Sequence, residues 1–315
     1  MEPIKVVSPW GELPYYSIGK YYQKKFGIKI RKLSVQISET CPVRQGNKEL
    51  CIFCDEKGAG GDQIIYGKSV KEQIDLNASR IKPTTYEQSF LAYFQTYTST
   101  FGRLEPLERA LEEAISCDGV KGVVISTRPD CLPSGIFPLL KKLAEKTFVS
   151  VEVGAQSFNE DYVAWLKRGH TAQKSIDAIK RLSEEAGVDV GAHIILGLPN
   201  QTLAQVKEEV DIVNSLPLGN IKLHHLYVLK DSPLAAAWES GEFKVVEFDD
   251  YVQQAALFLA NLNPSIAVQR LSAFAKGSDG LLAPDWTKER SRPGQEIMNY
   301  MAKSNHIQGS LFKLE

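Results

Sequence analysis

Short apolar, β-branched runs alternate along this chain with longer stretches whose apolar positions recur every three to four residues, the pattern of parallel strands joined by crossover helices. The strand-like runs are Lys32–Ser38, Phe90–Gln95, Gly119–Ser126, Phe148–Val153, Asp189–Leu196 and Ile221–Leu229. Between them lie helical patterns at Val70–Ile81, Phe137–Glu145, Ala172–Ala186 and Leu203–Asn214, and one opened by Pro106 at a first-turn position and running through Ile115. Six strand–helix units can be read in this way. An amphipathic helix over Asp249–Asn261, a short strand over Ile266–Leu271 and a polar, proline-containing tail follow, and no repeat or low-complexity tract interrupts the series.

A chain of 315 residues with 43% hydrophobic content can bury one substantial core, and alternating strand–helix barrels of this size are commonly one domain. The organisation expected is a main barrel over 31–232, a basic and aromatic N-terminal extension over 1–30, and a C-terminal extension over 233–315 that packs on the barrel. The formal net charge of -1 supplies no global field for nucleic acid, so a polyanion would need a local patch. The run Lys20–Lys32 offers one. Its six cations interleave with aromatics in a way that suits phosphate contacts and base stacking, and equally describes a solvated amphipathic helix. The five cysteines are an odd number, Met1–Lys5 has no apolar signal stretch, and the apolar runs are too short to span a bilayer. The expectation is a cytoplasmic protein without a membrane partner, whose reduced thiols favour a metal or catalysis over disulfides.

In a parallel barrel, the residues that follow each strand gather at one mouth. The unusual segments fall there: the cysteine loop after the first strand, Thr96–Thr100 after the second, Thr127–Cys131 after the third, Gly154–Ser157 after the fourth, Gly197–Asn200 after the fifth and Lys230–Ser232 after the sixth. Cys41, Cys51 and Cys54 form a C-x9-C-x2-C array with no fourth cysteine nearby. A structural zinc takes four protein ligands, whereas three thiolates on a four-iron cluster leave one iron open to a small molecule. Cys117 and Cys131 alone cannot complete a second cluster of this kind.

With these motifs in view, the chain resembles the radical S-adenosylmethionine (SAM) superfamily, and within it the YhcC-like branch neighbouring the Elongator catalytic subunit. The strings that carry the likeness are Phe90–Phe101, Ser126–Cys131, Lys167–His170, His193–Pro199 and Leu281–Trp286, and it covers nearly the whole chain. The long first cysteine gap is similar to that of Elongator-type enzymes. The resemblance implies an α/β fold, a partial (β/α)6 TIM-type barrel, in which Cys41, Cys51 and Cys54 hold a [4Fe-4S] cluster and SAM chelates the fourth iron. Reductive cleavage of SAM to a 5′-deoxyadenosyl radical, followed by abstraction of a substrate hydrogen, is the chemistry implied. Phe53 would pack near the adenine, or plug the loop. Tyr97, Thr98 and Ser99 stand where a glycine-rich turn binds the methionyl amino group, and Ser126 where a ribose-binding glutamate is common. Arg128 belongs to the same motif. Gln156 and Arg168 resemble a Gln and Arg pair directed at SAM, Arg168 by a bidentate grip on its carboxylate, with a surface ion pair as the other reading. His193 is either a SAM-facing polar group or a hydrogen-bonded core residue.

Cys131 is a candidate hydrogen-atom donor or a packed thiol, Cys117 a structural one. Alternation along the sixth strand puts His224 and Lys222 on one face and His225 on the other, so His224 is the candidate catalytic histidine. Glu152 and Asp130 are candidate binders of a cationic substrate or members of ordinary ion pairs, and Arg270 is a candidate to reach the cavity or a phosphate. By analogy with the Elongator-type enzymes, the substrate expected is the side chain of a tRNA wobble uridine, with an external flavodoxin- or ferredoxin-type electron donor. A small metabolite is the second reading. A zinc-stapled binding module with a fourth ligand such as His170 is the third.

Overall fold

The computed structural model describes residues 8–37, 41–42, 51–54, 68–81, 89–95, 97–275 and 280–313. Met1–Lys5, Ser38 at the end of the first predicted strand and Thr96 in the second loop lie outside the described residues. The chain forms an α/β half-barrel, a curled parallel sheet of seven strands in the order β1-β2-β3-β4-β5-β6-β8. These are β1 (Arg31–Val35), β2 (Phe90–Phe94), β3 (Val120–Thr127), β4 (Phe148–Gln156), β5 (Asp189–Leu196), β6 (Asn220–His225) and β8 (Ala267–Arg270). The crossover helices are α2 (Val70–Ser79), α3 (Leu104–Ser116), α4 (Ile136–Ala144), α6 (Ala172–Glu184) and α7 (Leu203–Asn214), with the small α5 (Glu160–Trp165) inserted before α6. Ser69 with Glu72, and Thr202 with Gln205, close reciprocal caps at the starts of α2 and α7.

Strand alternation decides where the core lies. Leu33, Val35, Phe94, Val123, Ile125, Val151, Val153, Val190, Ile194 and Leu223 join Leu111, Leu140, Ile179, Leu182 and Val210 of the helices in one continuous apolar cluster on the convex face. The intervening strand positions carry Tyr93, Ser126, Glu152, His193, Lys222 and His224, which line a cavity on the concave face. A parallel sheet covered on both faces normally reads as unbroken apolar strands. Here polar groups at every second position leave one face free to hold a ligand.

The sixth predicted strand is too long. It breaks after His225, and Val228–Leu229 (β7) turns away to pair antiparallel with Leu281–Ala283 (β9). The predicted short strand over Ile266–Leu271 supplies the seventh strand of the main sheet, paired parallel with β6. The tail is helical rather than merely polar: beyond α8 (Leu234–Glu239) and α9 (Phe248–Asn261), α10 (Arg292–Lys303) carries Pro293 in its first turn and buries Ile297 and Met301.

Of the two readings of the basic aromatic run, the structure takes the amphipathic helix rather than the stacking surface. Helix α1 (Ile18–Phe26) crosses the end of the sheet where the strands begin. Tyr22 is buried there, and Tyr21 and Phe26 pack with it against Leu91, Tyr93 and Phe148. Lys20, Lys24, Lys25, Lys29 and Arg31 remain exposed, as an amphipathic helix requires, while Lys32 turns inside. The aromatics are taken up by the core because they pack on apolar side chains at this end of the curled sheet.

Candidate active site

The three array cysteines gather at the mouth formed by the strand ends. Cys41 and Cys51 are buried, Cys54 is half-buried, and the three pack together with Phe53 and Tyr97. The 51–54 turn closes by a hydrogen bond from the Cys54 amide to the Cys51 carbonyl at 3.1 Å. It is anchored at Ile52, whose carbonyl accepts from the Leu234 amide at 2.9 Å.

Two guanidinium groups converge on one sulfur. Arg128 Nη1 lies 3.3 Å and Arg168 Nη1 3.2 Å from Cys51 Sγ. Arg128 is held by both oxygens of Asp130, at 2.9 and 3.0 Å, and by the Arg168 carbonyl. Although burial alone would raise the Asp130 carboxyl, Arg128 holds it below the usual carboxylate range. Arg168 also donates to the Gly154 carbonyl at 2.7 Å, while its buried Nε has no partner among the described residues. A buried guanidinium donor left over beside three thiols is a donor set that suits an anionic ligand held against a thiolate group. The residues present therefore fit an iron–sulfur cluster with an anionic cosubstrate beside it.

Cys41, Cys51, Cys54, Phe53, Tyr97, Thr98, Ser126, Arg128, Gln156, Arg168, His193 and His224 line one cavity of about 210 Å³. Ser99 and Cys131 are not among its lining residues. The Ser99 hydroxyl turns back to the Phe94 carbonyl at 3.2 Å, and the Cys131 thiol faces Asp130 at 3.9 Å, with burial pushing it up to about 12. Tyr97 and Gln156 both adopt left-handed backbone conformations, with φ of 56° and 70°, at the rim. Gly154 leaves room for both neighbours, since a Cβ there would lie 2.9 Å from Gln156 Nε2 and 3.5 Å from Arg168 Nη2.

Below the cysteines lies a buried charge network. Glu152, with no side-chain exposure, accepts from Lys32, from Lys222 Nζ at 2.8 Å, from Tyr93 Oη at 2.8 Å and pairs with His193 Nε2 at 2.7 Å. Burial works against its charge, but Lys222 and Lys32 hold the carboxyl well below the ordinary range. Ser126 Oγ reaches the Tyr93 oxygen at 3.0 Å, so this serine is tied into the floor. Arg270 Nη2 lies 2.7 Å from His224 Nδ1. His225 takes the opposite face, bonded to Thr287 Oγ1 at 2.8 Å under the Trp286 ring.

For Glu152 and Asp130 the ion-pair alternative is the one the geometry shows. Each is engaged by cations of this chain, the ordinary ion pairing that stands beside the cationic-substrate reading. The sequence motifs do not single out Tyr93, and Lys32 belongs by sequence to the basic run rather than to the cavity. The signal that points to both is the alternation Lys32-Leu-Ser-Val and Leu91-Ala-Tyr-Phe, which repeats in the other strands. His170, the ligand a zinc staple would call on, is not among the cavity's lining residues.

A family model described as "Radical SAM superfamily" matches residues 35–213, and a second, "Radical_SAM C-terminal domain", matches residues 219–303. Protein YhcC of Escherichia coli is 30% identical over 290 residues, covering 91% of this chain and 92% of that protein. The tRNA uridine(34) acetyltransferase of Methanocaldococcus infernus is 27% identical over 185 residues, covering 57% of this chain and only 33% of that enzyme. Among solved structures, the archaeal Methanocaldococcus infernus Elp3 with an N-terminal deletion superposes with a TM-score of 0.70 at 15% identity, covering 89% of this chain and 64% of that one.

Proposed function

The chain belongs to the radical SAM superfamily, and on that premise we propose that its cavity uses a [4Fe-4S] cluster on Cys41, Cys51 and Cys54 to modify the side chain of a tRNA wobble uridine. Members of the superfamily bind this cluster and SAM. When bound, the pair supplies reductive cleavage of SAM to a carbon radical that removes a hydrogen atom from the substrate. The observation that carries the reading is the convergence of Arg128 and Arg168 on Cys51 Sγ at the mouth of a polar-lined barrel.

The chain's own residues then have distinct tasks. Arg128, clamped by Asp130, fixes the Cys51 sulfur and offsets negative charge gathered there. Arg168 spans from that sulfur to the Gly154 carbonyl and keeps its Nε for an anionic oxygen, which suits the SAM carboxylate. Phe53, 5.7 Å from the Arg168 guanidinium, and Tyr97 wall the rim against water. Ser126, Tyr93 and Lys222 present a chain of hydrogen-bonding groups along which a proton is held next to Glu152. Electrons come from an external flavodoxin- or ferredoxin-type donor.

The tRNA assignment is supported by similarity to the archaeal uridine(34) enzyme. A small metabolite is the second reading, favoured by the burial of Tyr22 and by the seat of the basic helix α1 at the end of the sheet away from the cysteines. The test begins with anaerobic preparation: about four irons and four sulfides per chain and SAM-dependent release of 5′-deoxyadenosine are expected. Colourless protein with one bound zinc refutes the cluster. Nucleosides from tRNA of cells with and without the chain then separate the substrates, because a wobble-uridine precursor accumulates only if tRNA is modified.

A further inference from the structure

Among the described residues, the floor of the cavity carries more positive charge than it neutralises. Lys32, Lys222 and Arg270 face inward, and Glu152 is the carboxylate that the described residues place in contact with the two lysines. Asp189, one step of the strand alternation deeper, is taken up by Tyr21, by Ser150 Oγ at 2.8 Å and by Asn220 Nδ2 at 3.0 Å. The histidines add no anion. Burial, and then the positive charge of Lys222, pulls His193 down to about 4. Burial, then Arg270, pulls His224 well below its ordinary value. Arg270 has its Nη2 against His224 and its buried Nε without a partner among the described residues. Lys222 itself is pushed down to about 8, first by burial, with Lys32 and Arg270 adding to the effect against the pull of Glu152.

An uncompensated guanidinium and ammonium in one lined cavity is a costly arrangement for an empty protein, and it becomes favourable when a fixed anion arrives. We propose that the cavity floor is a receptor for an anionic oxygen group of the substrate, a carboxylate or a phosphate, gripped by Arg270 and Lys222 beside His224. This rests on the radical SAM reading of the same cavity and names the class of substrate it accepts. The position separates it from the cosubstrate. Lys222 and Arg270 are register partners on β6 and β8, within the strands, whereas Arg128 and Arg168 stand in the loops beside the cysteines. Planar recognition by Arg270 favours a bidentate oxygen pair, and Lys222 supplies a point charge to either source.

The test uses the full chain, reconstituted with its cluster and saturated with SAM under anaerobic conditions. Acetate, inorganic phosphate and neutral acetamide serve as calorimetric probes. One equivalent of acetate or of phosphate is expected to bind, the stronger of the two identifying the source, with no uptake of acetamide. Arg270→Gln and Lys222→Met each weaken that uptake at least tenfold while iron content and SAM affinity stay within twofold; if one variant fails to fold, the other carries the test. Absence of anion uptake, or uptake unaffected by both substitutions, overturns the proposal; so does anion uptake by SAM-free protein that added SAM displaces, which gives these cations to the SAM carboxylate. A chain that takes up the anion in this way yet binds neither iron nor SAM sinks the cluster reading and leaves the anion receptor standing.

Discussion

Replacing Glu152 by glutamine removes one buried charge and almost no volume, and its consequences follow from the partners left behind. The carboxylate is fully buried and is shared between Lys32 and Lys222. Deleting one member of a buried ion pair costs about 3–5 kcal/mol. Here the loss has a ceiling, because Lys222 can escape by shedding its proton. With its value already near 8, doing so at pH 7 costs about 1.4 kcal/mol, and less once Glu152 no longer pulls on it. Glu152→Gln should therefore fall at the lower end, about 3 kcal/mol, or a drop in Tm of about 6 °C for a chain of this size. The sign with pH is fixed. A lysine whose folded value is depressed contributes stability that is fully present above its unfolded value, near 10.5, and is lost as pH falls through the folded one. The deficit of the glutamine variant should thus narrow between pH 7 and pH 9 and vanish in large part in the double variant Glu152→Gln with Lys222→Met. Urea denaturation of anaerobically purified protein across this range measures it. A single variant as stable as the parent at pH 7, or a double variant that loses the sum of both single effects, refutes the network described here.

Three further outcomes are expected. Cys51→Ala abolishes the brown chromophore and lowers iron per chain below half of the parent's, with the far-ultraviolet circular dichroism unchanged, as iron analysis will show. Gly154→Ala drives a methyl against Gln156 Nε2 and towards Arg168, so SAM affinity measured by equilibrium dialysis should fall about tenfold, worth about 1.4 kcal/mol, with Tm within about 3 °C. Glu209, buried beneath the β4–α5 connection, accepts from Ser157 Oγ at 2.9 Å and from the Phe158 amide at 2.8 Å, and burial raises it to about 7. Its contribution is fully present below its unfolded value near 4.5 and is lost as pH rises through 7. Glu209→Gln should flatten the stability profile between pH 5 and pH 8 and leave the variant the more stable chain at pH 8, by about 1 kcal/mol.

The parallel architecture was legible because each crossover helix and strand satisfies its own local period, and the loop motifs mark one mouth. Errors came where tertiary context overrode pattern. Leu226-Tyr-Val-Leu continues the apolar run of β6, yet the chain leaves the sheet there because β9 offers Val228 and Leu229 an antiparallel partner from far along the sequence. Tyr22 and Phe26 in a basic run suit a stacking surface as well as an amphipathic helix, since nothing local reveals the sheet end that they pack against. The cysteines needed only their spacing to be noticed. Tyr93 and Lys32 needed the strands to be read side by side, because a floor assembled from single residues of seven strands has no signature in any one of them.

A half-barrel has two free rims, and in this protein one side chain is strung between them. Lys32 of β1 donates to Gln269 of β8 at 2.8 Å and also reaches Glu152 in the centre. The curvature of the sheet and the acidity of its middle are thereby tied to the same ammonium group. A change at position 32 cannot loosen the shape without retuning the chemistry, nor the reverse.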